Sequence, residues 1–243
     1  DDGHLGAMTS SAQVGIVRRH LEDAVARGAK VLTGGPDAIV GNFIQPTVPF
    51  EWTRFADGHT AAYETAPLDE PLTLMGQGHL DLWLGPGTDD TSVQVTLVEV
   101  RPDDVEVRVQ SGWHRPVHRV EDPDHSDDLR ADYTFAPEDR SPLVPGEWIH
   151  FRLPIYPFAH VFRPGSRLRL QLSTPGRDHP FWCFDNPVEA GATHAVGLGG
   201  AHPSSLVRPV WSAPLAHPAD HPPAGSLRGQ PARAPELAII ADG

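Results

Sequence analysis

The 243-residue chain carries a formal charge of −13, with 39% hydrophobic and 21% charged residues, a composition that excludes a disordered protein and leaves room for a core. The single cysteine, Cys183, excludes an internal disulfide framework and a zinc ribbon, and the acidic balance opposes binding to a phosphate backbone. No apolar run approaches the roughly 20 residues of a membrane span, and residues 1–10 lack signal-peptide character, so no nucleic acid and no membrane is expected as partner, and the cytoplasm is the expected compartment.

In chain order, Ser10-Ser11-Ala12-Gln13 has capping-box spacing, and Val14, Val17, Leu21, Ala24 and Val25 recur at three- and four-residue steps until Arg27-Gly28 supplies a stop. This predicts a helix. Ala29 to Leu32 reads as a short strand, Gly34-Gly35-Pro36-Asp37 as a turn, and Phe43 to Val48 as a second apolar stretch. From about Thr60 the period changes to two. Leu80, Leu82 and Leu84 alternate with Asp81 and Trp83, and the same alternation runs through Val93–Leu97, Val105–Val109 and Ile149–Leu153. It is cleanest in Leu168, Leu170 and Leu172, which leave the turn Arg163-Pro164-Gly165-Ser166. Strands at this spacing, in a chain with 23 glycines and 26 prolines, predict antiparallel sheets packed as a β-sandwich or jelly roll, each strand with one buried and one wet face. The acidic segment from Arg119 to Ser141 reads as a surface insertion, and the proline-rich stretch after Val210 as an extended strap or tail.

The chemistry-bearing residues give few patterns. No serine stands in a Gly-x-Ser-x-Gly elbow, the turn that exposes a nucleophilic hydroxyl, so any triad would have to be assembled without that motif. Cys183 sits between bulky Phe181, Trp182 and Phe184, a setting that disfavours the thiolate. Asp122, Asp124, Ser126 and Asp128 follow the first positions of a calcium loop, but Asp127 replaces the sharp-turn glycine and Tyr133 the closing glutamate, so the segment reads as a solvated loop. The histidines lack paired helical spacing, and no metal or cofactor is expected. Gly197-Leu198-Gly199-Gly200 follows no clear strand. Aromatic residues remain: Tyr156, Phe158, Phe181 and Trp182 lie in proline-broken stretches and, with Trp113 at a sandwich edge or loop mouth, are candidates for a cleft wall or a ligand platform.

Two resemblances carry the functional expectation. Tyr63-Glu64-Thr65-Ala66-Pro67-Leu68, Leu80-Asp81-Leu82-Trp83-Leu84, Gln110-Ser111-Gly112-Trp113-His114-Arg115, Leu143-Val144-Pro145-Gly146-Glu147, the run His160 to Leu170 and Ser204-Ser205-Leu206-Val207-Arg208-Pro209-Val210 occur in the order found in the C-terminal domain of X-Pro dipeptidyl-peptidase and cocaine-esterase-like (CocE/NonD) serine hydrolases. The resemblance covers about residues 60–233. It implies a jelly-roll, galactose-binding-like domain that packs on an α/β-hydrolase domain and helps wall its active-site cleft, the catalytic Ser, Asp and His lying on that other domain. Residues 5–48 resemble a stretch of aldehyde dehydrogenase through Leu5-Gly6-Ala7-Met8, Thr33-Gly34-Gly35 and Gly41-Asn42-Phe43-Ile44-Gln45-Pro46-Thr47-Val48, without that family's nucleophilic cysteine or its Glu-x-Phe-Gly-Pro segment.

The expected organisation is therefore an aldehyde-dehydrogenase-like fragment over 1–50, a β-sandwich over 51–233 and a tail over 234–243, a splice of two enzyme pieces. The expected function is that of an accessory sandwich domain of a serine hydrolase, with no catalytic residue of its own and a catalytic α/β-hydrolase domain or chain as partner. A carbohydrate- or small-ligand-binding module is the alternative, and an aldehyde-dehydrogenase-related oxidoreductase a third reading. The apolar stripe of the N-terminal helix, cut off from its original partner, offers a surface for self-association.

Overall fold

The computed structural model describes residues 11–28, 39–40, 43–44, 52, 55, 58–175, 186, 191–213, 219–225 and 230–234. The predicted helix is present as α1 (Ser11–Ala26). It ends where Gly28 turns to φ 90° and donates its N–H to the Val25 carbonyl, a left-handed cap that glycine adopts without strain. Ile16 and Val25 remain exposed on it. The short strands β1 (Ile39–Val40) and β2 (Phe43–Ile44) pair with each other; the strand expected at Ala29–Leu32 and the tail over 235–243 lie outside the described residues.

The remaining strands are β3 (Ala61–Glu64), β4 (Leu72–Gly85), β5 (Val93–Val100), β6 (Glu106–His114), β7 (Ile149–Phe162), β8 (Arg167–Ser173), β9 (Ala195–Val196), β10 (Leu198–Gly199), β11 (His202–Pro203), β12 (Ser205–Val207) and β13 (Ala232–Arg233). All but β10 and β11, which pair with each other, join two antiparallel sheets. One has the order β12-β4-β7, with β9 beside the end of β4; the other has the order β13-β6-β5-β8-β3. The chain is a mainly β sandwich, as the period-two pattern requires. Leu74, Leu80, Leu82, Phe151, Leu153 and Phe162 of the first sheet face Val95, Leu97, Leu168 and Leu170 of the second in one core, each large side chain contributing about 1.5–3 kcal/mol by leaving water.

The expectation of one wet face per strand fails for β5, which is buried along its whole length. It lies at the centre of its sheet between β6 and β8, and its outer side is covered. Trp52 packs on Val98 and Val100, and the polar side chains satisfy one another. Thr96 Oγ1 lies 3.0 Å from Ser111 Oγ, Arg108 Nη2 donates to Ser111 Oγ at 2.7 Å, and Arg169 binds both Glu64 and Glu106. Arg233 of β13 closes the series, 2.7 Å from Glu106 and with its guanidinium 3.9 Å from the Trp52 ring centroid, a cation–π contact. The proline-rich segment read as a strap thus ends in a sheet strand.

The segment between β6 and β7 is anchored rather than loose. Tyr133 donates its hydroxyl to the Arg152 carbonyl, while the Arg152 guanidinium forks onto Glu121 and reaches the Asp127 carbonyl at 2.6 Å. This fastens the acidic excursion across the outer face of the smaller sheet, where His79 Nδ1 also lies 3.0 Å from the Leu129 carbonyl.

Candidate functional site

The five aromatic candidates divide into three groups. Trp113 near the end of β6 and Tyr156 on β7 meet edge-on with ring centroids 5.0 Å apart, and Tyr156 remains exposed, with burial of part of its ring pushing the phenol pKa up. Phe158 does not join them, because it packs against the main core. Phe181 and Trp182 lie outside the described residues. The loop expected at Tyr156-Pro157-Phe158 is instead part of β7. Its register against β4 shifts, Gly76 opposing Phe158 and Gly78 opposing Ile155, so Tyr156 and Pro157 bulge from an edge strand, where a proline costs no ladder bond. Gln110 Nε2 donates to the Pro157 carbonyl at 3.1 Å and ties the bulge to the other sheet.

A second aromatic group was not singled out from the sequence. Trp148 stacks on His202 at 4.5 Å, His202 meets Trp83 at 4.9 Å, and Trp83 meets His150 at 4.9 Å. The signal was the alternation itself, because Trp83 lies between two core leucines of β4 and therefore faces outward.

One cluster combines a serine, a histidine and an acid. Ser166 Oγ donates to Glu99 Oε1 at 2.8 Å and lies 3.0 Å from His221 Nε2. The same His221 nitrogen lies 3.3 Å from Glu99 Oε1, and His160 Nε2 reaches Glu99 Oε2 at 3.1 Å. A hydrolytic triad requires the acid on one imidazole nitrogen and the serine on the other, so that the ring can take the hydroxyl proton. Here both share Nε2, the hydroxyl proton is already given to Glu99, and Ser166 is fully buried. The arrangement is a pin between structural elements. Burial pushes the Glu99 carboxyl up, but the hydrogen bond and charge of His160, the Ser166 hydroxyl and the His221 charge outweigh it and hold the pKa at about 2.

Among the described residues no group of three His, Cys, Asp or Glu side chains converges as a metal site. Asp122 is engaged in its own turn, accepting from the Asp124 N–H at 3.0 Å and lying 2.8 Å from His125 Nδ1.

A family profile described as the X-Pro dipeptidyl-peptidase C-terminal non-catalytic domain matches residues 9–207. The chain belongs to this family. Its fold is similar to part of a CocE/NonD family hydrolase from Staphylococcus aureus, with a TM-score of 0.54 and 20% identity over 63% of this chain and 30% of that one. A Mycobacterium bovis protein described as a serine esterase is 30% identical over 125 residues, 51% of this chain and 20% of its own length. The chain thus spans about a fifth of that curated relative. A shorter match, 50% identical over 46 residues, joins 19% of this chain to 8% of a 4,4'-diapolycopene aldehyde oxidase from Methylomonas.

For an X-Pro dipeptidyl-peptidase C-terminal domain, the pinned geometry at Ser166 accords with the non-catalytic description of the family. The family match also extends through α1, well before the resemblance over residues 60–233. Among the described residues no helix is long and apolar enough to cross a membrane.

Proposed function

We propose that the chain is the accessory domain of a serine hydrolase of dipeptidyl-peptidase or esterase type, working with a catalytic α/β-hydrolase domain and inactive alone. The observation that carries this reading is the match to the non-catalytic C-terminal family over 9–207. On this reading the sandwich has the jelly-roll, galactose-binding-like topology, and Trp113 with Tyr156 forms part of a wall facing the partner's cleft. Their support is mutual contact at one edge of the sandwich, where half-buried Trp113 meets exposed Tyr156 and the β7 bulge presents Tyr156 beyond the ladder. The short aldehyde oxidase match supports descent of the N-terminal segment from an aldehyde dehydrogenase, joined to the sandwich by gene fusion.

The test is treatment of the purified chain with an activated ester and a fluorophosphonate. Neither turnover nor a labelled serine is expected. Turnover abolished by the reagent, with a serine labelled, would overturn the reading. In a protein that also carries the catalytic domain, Trp113→Ala and Tyr156→Ala should raise KM with little change in kcat; unchanged KM in both would remove the wall assignment.

A further inference from the structure

The two sheets close tightly along the β6–β7 edge and stay apart along the other. There β3 is the outermost strand of the larger sheet and β12 of the smaller. Between them opens a cleft of about 230 Å³, floored by Leu168, Leu170 and Leu172 of β8 and by Leu80 and Leu206 opposite. Protein interiors leave few voids larger than a water molecule, and water gains nothing against an apolar lining. This gap has room for roughly the volume of seven or eight waters, enough for a chain of about eight carbons.

The mouth sets the ligand's polarity. Tyr63 of β3 borders it and, paired with Leu170, turns its ring to the cleft; its hydroxyl has no hydrogen-bond partner among the described residues. Ser205 of β12 also borders it, but it pairs with Asp81 and so carries its side chain on the outer face of the smaller sheet. Burial holds the Tyr63 phenol above its ordinary pKa, so it enters as a neutral donor. Glu64 also borders the mouth. Its carboxylate is engaged by Arg167 at 2.7 Å and Arg169 at 2.6 Å, so no guanidinium is left there to receive an anion. With a chain charge of −13, the entrance disfavours a carboxylate or phosphate head group.

We infer that this open edge is a binding site for a neutral, apolar small molecule with one hydrogen-bonding end, its carbon chain among the β8 leucines and its hydroxyl or carbonyl at the Tyr63 hydroxyl. The site lies on the edge opposite Trp113 and Tyr156, so it stands or falls independently of the accessory-domain reading.

The test is calorimetric titration of the full chain with 1-octanol and, separately, with octanoate. Saturable binding of one 1-octanol per chain is expected, with octanoate weaker by about tenfold or more because its charge would be desolvated without a partner. Tyr63→Phe, which keeps the ring, should weaken 1-octanol binding by about 3- to 10-fold, the worth of one hydrogen bond. Leu206→Trp, at a position that shares the cleft face with Leu80, should fill the cleft and block entry, with the thermal melt reporting that the protein stays folded. No saturable binding up to the solubility of 1-octanol, or undiminished binding by the folded Leu206→Trp protein, would overturn the assignment.

Discussion

Gly112 of β6 and Pro154 of β7 bring the two sheets into backbone contact. A Cβ placed on Gly112 would overlap the Pro154 carbonyl and come within 2.9 Å of Ile155 Cα. The obstacle is peptide backbone rather than the end of a flexible side chain, so it cannot turn aside. Gly112→Ala should therefore cost about 1–3 kcal/mol, or somewhat more, by forcing the sheets apart at this edge. Urea denaturation measures it, and a loss below about 0.5 kcal/mol, the range of an ordinary surface change, would contradict the close approach.

The core offers a graded comparison. Leu82 is fully buried between the sheets, whereas Leu170, 6% exposed, borders the open cleft. Truncation to alanine should destabilise within the range of about 2–5 kcal/mol, with Leu82→Ala at the upper end and Leu170→Ala at the lower, because the cleft side has fewer atoms to lose contact with. Equal losses would indicate that the cleft is closed in solution.

Much of this architecture was legible because a pleated strand enforces a period of two. Leu80, Leu82 and Leu84 had to share a face, as did Leu168, Leu170 and Leu172, and both sets meet in the core. What alternation does not encode is the coverage of the second face. Gln94, Thr96 and Arg169 look solvent-facing in the sequence, yet are buried because distant chain segments and reciprocal hydrogen bonds cover them. The same limit applies to the site. Tyr156 could be named as an aromatic in a broken stretch and Trp113 as one at a sandwich edge, but their contact depends on a bulge set by the register against Gly76 and Gly78. Ser166, Glu99 and His221 are separated by as many as 122 positions, and no local spacing connects them.

Arg152 and Tyr133 hold the acidic excursion on the smaller sheet. Removing the Tyr133 hydroxyl in Tyr133→Phe deprives the Arg152 carbonyl of a partner and should cost about 1 kcal/mol. Arg152→Met should go further, since it releases Glu121 and the Asp127 carbonyl together. Limited proteolysis should then cut within residues 119–141 faster than in the parent chain, and unchanged cleavage in Arg152→Met would show that the fork does not restrain the segment.

His114 is buried and stacked on Tyr133 at 3.9 Å. Burial is the main cause that pushes its pKa down to about 4; the His118 backbone bond opposes it without restoring the ordinary value. In the unfolded chain the imidazole titrates near 6.5. The depressed value means that its contribution to stability is fully present above pH 6.5, falls as the pH drops toward 4, and is level below. The loss is on the order of 3 kcal/mol at most. His114→Phe keeps a stacking ring without the titration, so its stability should show a shallower decline over that window. Parallel profiles would mean that His114 takes up its proton in the folded state.

Glu99 controls a second, more acidic window. Its carboxylate joins β5 to His160 on β7, to Ser166 before β8 and to His221 of the C-terminal segment, so a single charge links both sheets and the returning chain. The folded pKa of about 2 lies below the ordinary 4.5, and the sign follows. The unfolded chain takes up the proton first as the pH falls, so the stabilisation is complete above about pH 4.5 and is lost as the pH falls through 2. Glu99→Gln leaves the imidazoles facing an amide, and the deficit at neutral pH should be about 3 kcal/mol, the lower end of what breaking a buried pair costs. The two proteins should then converge as the pH drops from 4.5 to 2, because the parent loses by protonation what the variant lacks from the start. Guanidinium titrations of both proteins across that interval decide the matter. A deficit that persists unchanged at pH 2 would assign Glu99 a role through shape and hydrogen bonding alone, whereas convergence identifies its negative charge as the element that pins the C-terminal segment to the sandwich.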